Sequence, residues 1–122
     1  MNVNFVTFSG NVGADSELRQ SQSGVYRLTF SLAVSENRKG ADGQWQEATS
    51  WIPCVIFGER AAKLQQHITR GVALTLTGKL NTSTYEKDGE KRKAFSVMVD
   101  ELDIHFPPKA KGQSVADEDI AF

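Results

Sequence analysis

The sequence predicts an all-β domain: a small barrel of five strands in Greek-key order, with a single helix between the third and fourth strands. Three observations lead there. Five stretches have the composition or the alternation of strands. Only one stretch has helical spacing, and it falls between the third and fourth of them. No segment repeats, and 122 residues suit one domain with one core. A small β-sandwich is the competing architecture, but it has less use for a lone, centrally placed helix.

Taken in order, Val3–Val12 reads as the first strand, turned at Gly10 and Gly13, with Val3, Phe5, Val6 and Phe8 placing apolar side chains on both faces. Ala14–Gly24 is polar and reads as a loop. Val25–Val34 alternates most clearly, Tyr26, Leu28, Phe30, Leu32 and Val34 against Arg27, Thr29, Ser31 and Ala33. Ser35–Ala48, with Gly40 and Gly43, reads as a long mobile loop. Thr49–Gly58 is the third strand. Its alternation puts Trp51, Pro53, Val55 and Phe57 on one side, and Ile52, Cys54 and Ile56 on a second, core-like side. Pro53 has no N–H to give a ladder, so this strand is expected to be at an edge or bulged there.

Glu59–Arg70 is the predicted helix, with Ala61, Leu64 and Ile68 on one face and Arg70-Gly71 as its stop. Val72–Leu80 follows as a strand, then Asn81–Lys93 as a hairpin-like arm with its tip at Lys87-Asp88-Gly89-Glu90. Phe95–Phe106 closes the set. Its apolar parity changes from odd (Phe95, Val97, Val99) to even (Leu102, Ile104, Phe106), which predicts a bulge near Asp100–Glu101. This order is that of an OB-type barrel, whose helix plugs one end. Composition then shifts. Residues 1–106 form the expected domain, 107–116 a short linker behind Pro107-Pro108, and 117–122 a flexible acidic tip, Asp-Glu-Asp-Ile-Ala-Phe.

The net charge is −1, but residues 1–111 carry all 14 cations against 12 acids, a surplus of two. Bulk charge this small does not hold a polyanion, so local patches are needed. No secretory signal or membrane span is visible. Cys54 is the single cysteine, which leaves no internal disulfide and suits a reducing cytoplasm.

An enzyme reading finds no support. His67, His105 and Cys54 stand at no metal-ligand spacing, and neither a Ser-His-acid set nor an apolar carboxylate pair can be picked out. No metal or cofactor is expected. What accumulates is aromatic rings beside cations: Trp45 near Arg38 and Lys39, Tyr85 at the root of an arm holding Lys87, Lys91, Arg92 and Lys93, and Trp51 with Phe57 on one strand face, with Lys79 as a further candidate cation. Trp51 and Phe57 lie roughly 20 Å apart along a strand, too far to stack on each other. Taken singly, each of these rings has a packing explanation. Together they suit a ligand of flat unpaired bases.

At this point the residues resemble the bacterial single-stranded DNA-binding proteins across nearly the whole chain. Gly10-Asn11-Val12-Gly13 followed by Asp15, Glu17 and Arg19 is similar to that family's opening signature. Phe30–Val34, Thr49-x-Trp51, Phe57-Gly58-x-x-Ala61, Arg70-Gly71, Gly78-x-Leu80 and Tyr85-x-x-x-Gly89 follow in its order, and the acidic end with Phe122 is similar to its tip. The resemblance implies an OB-fold and a homo-oligomer, usually a tetramer with a dimer as the alternative. It also implies sequence-independent binding and protection of single-stranded DNA in replication, recombination and repair, in a bacterial, nucleoid-associated setting. It places Trp51, Phe57 and Tyr85 at base-stacking sites. It makes Asp117, Glu118, Asp119, Ile120, Ala121 and Phe122 a docking peptide for replication and repair proteins. Asn37 stands where other members have a stacking Trp, and Trp45 nearby is the candidate substitute. Ala121 replaces a usual Pro, and the linker is short, as in a compact or mobile-element member. The alternative is an OB-fold adaptor of the primosomal type, working chiefly by protein docking; such adaptors lack the acidic tip.

Overall fold

The computed structural model describes residues 2–105. Six strands and one helix occupy them: β1 Val6–Val12, β2 Glu17–Gln20, β3 Tyr26–Lys39, β4 Trp45–Phe57, α1 Glu59–Leu64, β5 Ala73–Lys87 and β6 Glu90–His105. The ladder runs β1-β5-β6-β4-β3-β2, and β1 also pairs with β3. That second pairing closes a ring of five strands, β1-β5-β6-β4-β3, and leaves β2 hung on the outer edge of β3. The expected five-stranded barrel is therefore present. The sixth strand is a correction, since Ala14–Gly24 reads as loop but contains β2.

Closure depends on two short contacts. β1 leaves β5 and meets β3 at Asn11 and Val12, and β4 meets β6 in parallel only at Cys54 and Val55. Gly10 sits at the first junction, where a Cβ would run into the Ala33 carbonyl. The second explains Pro53. Its partner Ser31 aims its carbonyl at the Gly13 N–H, 3.0 Å away, and so away from β4. Pro53 therefore faces away from β3 as well, toward a side where β6 pairs only from Cys54 onward, and its missing donor interrupts no ladder.

Leu28, Leu32, Ile56, Ile68, Leu74, Leu76 and Val97 are the large side chains fully buried in the barrel. Ile52, Cys54 and Ile56 all point into it, as the β4 alternation predicts. The helix is half the expected length. It ends at Leu64, yet Ala61 and Ile68 still reach the core. Past Leu64 the chain makes one tightened turn, the His67 and Ile68 N–H groups sharing the Leu64 carbonyl at 2.9 and 3.0 Å, and is then held by Ser16, whose N–H donates to the Ile68 carbonyl at 3.1 Å.

The expected bulge is at Asp100: Gly78 faces Val99 and Thr77 faces Glu101, so Asp100 has no opposite residue. Arg60 of α1 pins it, with two guanidinium N–H groups donating to the Val99 and Asp100 carbonyls at 2.6 Å each. Beyond the bulge β5 and β6 leave the barrel together as an arm, turned at Asp88-Gly89 with φ of 53° and 79°. Two successive positive φ values are those of a tight hairpin turn, and they are the reason for Asp-Gly. Ser35–Ala48 is not a loop. β3 and β4 stay paired through Lys39 and Trp45, making a second arm whose turn is closed by Gly40 N–H to Gln44 O at 2.7 Å. The linker and tip, residues 107–122, lie outside the described residues.

Candidate nucleic-acid interface

Pairing register decides which side chains meet on the outer face. β3 and β4 oppose Arg27 to Phe57, Thr29 to Val55, Ser31 to Pro53, Ala33 to Trp51, Asn37 to Glu47 and Lys39 to Trp45. Because Ser31 turns its backbone groups away from β4, all of these are non-hydrogen-bonded pairs, in which opposite side chains approach most closely. Trp45, Trp51 and Phe57 follow one another every six residues along β4, so the three rings share one face at intervals of roughly 20 Å.

None of the rings is core. Trp45 is 71% exposed, Trp51 58%, and Phe57 and Tyr85 46% each. Tyr85 stands opposite Arg92 on the β5–β6 arm, on the same side as Lys79, Asn81, Lys87, Ser96 and Met98. A groove of about 780 Å³ joins the two halves: Trp51, Val55 and Phe57 of β4, Arg27 of β3, and Ser96 and Met98 of β6 all line it. Cys54 lies at its floor, 2% exposed, and burial pushes its thiol up to about 12, so it is a packing group here with no thiolate to offer.

The cations divide. Lys39, Lys79, Lys87 and Arg92 lie on the ring-bearing face, each opposite a residue of that face. Arg38 faces the other way. It is tied to Glu36, its Nε donating to Oε1 at 2.8 Å. Lys91 and Lys93 alternate with Arg92 and so sit on the reverse of the arm, with Phe95. Asn37 is on the ring face, one same-face pair inward of Trp45.

Two residues take a place on this surface that sequence reasoning does not give them. Gly13, read there as a turn and a signature position, is one: a Cβ would stand 2.5 Å from Cζ3 of Trp51, so the indole lies against bare backbone. The contact is long-range and leaves no local sequence signal. Arg27 is the other. The alternation of β3 puts it on the exposed face, but only the register brings it to Phe57. Among the described residues no three His, Cys, Asp or Glu side chains come together as a metal site, and no helix is long and apolar enough to cross a membrane.

A sequence profile of the single-strand binding protein family matches residues 3–105. The chain belongs to that family. Relatives in it include the single-stranded DNA-binding protein of Borreliella burgdorferi, 31% identical over 104 residues that cover 84% of this chain and 69% of that one. That of Mycobacterium leprae is 33% identical over 100 residues, 80% of this chain and 60% of the relative. The chain thus spans about two thirds of the length of the family members it matches. Among solved structures, a Plasmodium falciparum SSB in complex with ssDNA superposes with a TM-score of 0.78 at 18% identity, over 87% of this chain and 97% of that one. A deletion mutant of the Thermus aquaticus single-stranded DNA-binding protein gives 0.74 at 23%, over 93% and 54%. At such identities these two establish the shared fold, which is the OB-fold that the strand order predicts.

Proposed function

We propose that this protein binds single-stranded DNA without sequence preference and protects it during replication, recombination and repair. The observation that carries the reading is the continuous face bearing Trp45, Trp51, Phe57 and Tyr85, all exposed, across both arms and the barrel between them. Exposed rings spaced along a groove suit stacked bases of any sequence, because every base offers a π face. Lys39, Lys79, Lys87 and Arg92 stand beside them as phosphate partners. Arg38, Lys91 and Lys93 take a lesser part, reaching phosphate only where a strand passes around an arm. Family membership supports the reading, and so do the ligands named for its relatives. Titration with poly-dT is the test: saturable binding that Trp51→Ala weakens strongly supports it, and absence of binding removes it.

Two further parts of the reading rest on the sequence resemblance. One is assembly into a homo-oligomer, a tetramer by that resemblance, which exposed Val3 and Phe5 ahead of β1 would favour. Light scattering that gives 13.4 kDa at every concentration would remove it. The other is docking of replication and repair proteins by Asp117–Phe122, beyond the domain 1–106 and the linker 107–116. Its acids are repelled by phosphate, while Ile120 and Phe122 offer apolar anchors to a basic-rimmed pocket. Deletion of those six residues should leave dT affinity equal or slightly higher and abolish capture of replication proteins from a bacterial lysate.

A further inference from the structure

We propose that Arg19 and Arg27 form a phosphate seat at the end of the groove, fixing the backbone of the nucleotide strand just beyond the Phe57 ring. The proposal rests on the single-strand reading above and adds a site to it. Register builds the seat: β2 sets Arg19 directly opposite Arg27, and β3 sets Arg27 directly opposite Phe57, so the three side chains form one row across three strands on the ring face. Adjacent strands are about 4.8 Å apart, which puts the two guanidiniums and the ring within about 10 Å.

Two features show that this row is not explained by folding. Like charges directly opposite each other on a sheet destabilise it. Little local charge offsets them: among the described residues Arg27 makes no ion pair, and Arg19 meets Glu17 at 3.5 Å with both side chains about 70% exposed, a contact that solvent largely screens. A second hollow of about 480 Å³, lined by Arg19, Ser21, Val25, Arg27 and Phe57, opens here and shares Arg27 and Phe57 with the main groove. A strand leaving Phe57 therefore enters a space with two guanidiniums on one wall. Guanidinium forks match phosphate oxygens bidentately, and one anion between two such groups removes their repulsion. An acidic peptide would meet the same charges, but the row is continuous with a base-stacking ring, which favours a phosphodiester.

The test is the salt dependence of poly-dT binding for the full chain and for Arg19→Gln/Arg27→Gln, with Lys63→Gln, in the last turn of α1, as the control away from the ring face. Losing one phosphate contact should flatten the slope of log K against log salt by about 0.7. Affinity at low salt should fall several-fold, and the control should keep the wild-type slope. The melting temperature of the double variant should hold or rise, since a like-charge pair has gone; a structural role would lower it. An unchanged slope in a variant that still binds dT overturns the seat and leaves the single-strand reading standing. So does a variant that keeps its dT slope and instead loses affinity for a synthetic Ala116–Phe122 peptide. Absence of dT binding by the wild-type chain overturns both.

Discussion

The two arms are both antiparallel hairpins that prolong strands of the barrel, yet one reads plainly from sequence and the other does not. The β5–β6 arm announces itself with an Asp-Gly turn whose two positive φ values need those residues, and with a strand running into it on either side. The β3–β4 arm turns through Gly40–Gln44, and its walls, Ser35–Lys39 and Trp45–Thr49, carry no apolar alternation. Alternation is a record of burial on one face, and an arm held away from the core buries neither. Its pairing is inherited from the strands at its root. The lesson is that an exposed aromatic such as Trp45 inside a polar stretch is itself a sign of structured backbone beneath it.

The largest effect should come from the ring between the arms. Trp51→Ala should cost roughly 1–3 kcal/mol of dT binding, the range for one base–aromatic stack. If both arms serve one groove, Trp45→Ala and Tyr85→Ala should each cost about 1 kcal/mol, measured by the same titration. A silent Trp45 beside a sensitive Tyr85 would break the parallel and return the β3–β4 arm to a structural part. Gly13→Ala sharpens it from behind. Pushing the Trp51 indole off its seat should weaken binding several-fold while circular dichroism and the melting curve show the barrel intact.

Cations should follow face and not proximity in sequence. Lys39→Gln should flatten the salt slope by about 0.7, and its neighbour Arg38→Gln, held by Glu36 on the reverse side, should change it little. The smallest effect concerns Cys54. With its thiol held at about 12 in the fold and ionising at 9.0 when unfolded, the protein should lose stability as pH rises past 9, because only the unfolded state releases that proton. A native Cys54 should also resist thiol reagents at pH 8 until denaturant is added.

Much of the fold was legible because burial writes itself into alternation: β1, the barrel halves of β3 and β4, β5 and the Asp100 bulge all follow from where apolar residues fall. What was hidden depends on partners distant in the chain. Ser16 holds the end of the helical turn through the Ile68 carbonyl, and β2 pairs along β3 from Glu17 to Gln20. The site divides the same way. Trp51, Phe57 and Tyr85 stand out by residue type, whereas Gly13 under the indole and Arg27 beside Phe57 are placed only by register.

The central claim is that bases stack on the face carrying Trp45 and Trp51. The most direct measurement is the emission of each indole alone, in Trp45→Phe and Trp51→Phe variants titrated with poly-dT. Quenching of both, saturating at the same strand-to-protein ratio, is the expected result. A variant that binds dT by gel shift while its remaining tryptophan keeps its emission unchanged would contradict the account.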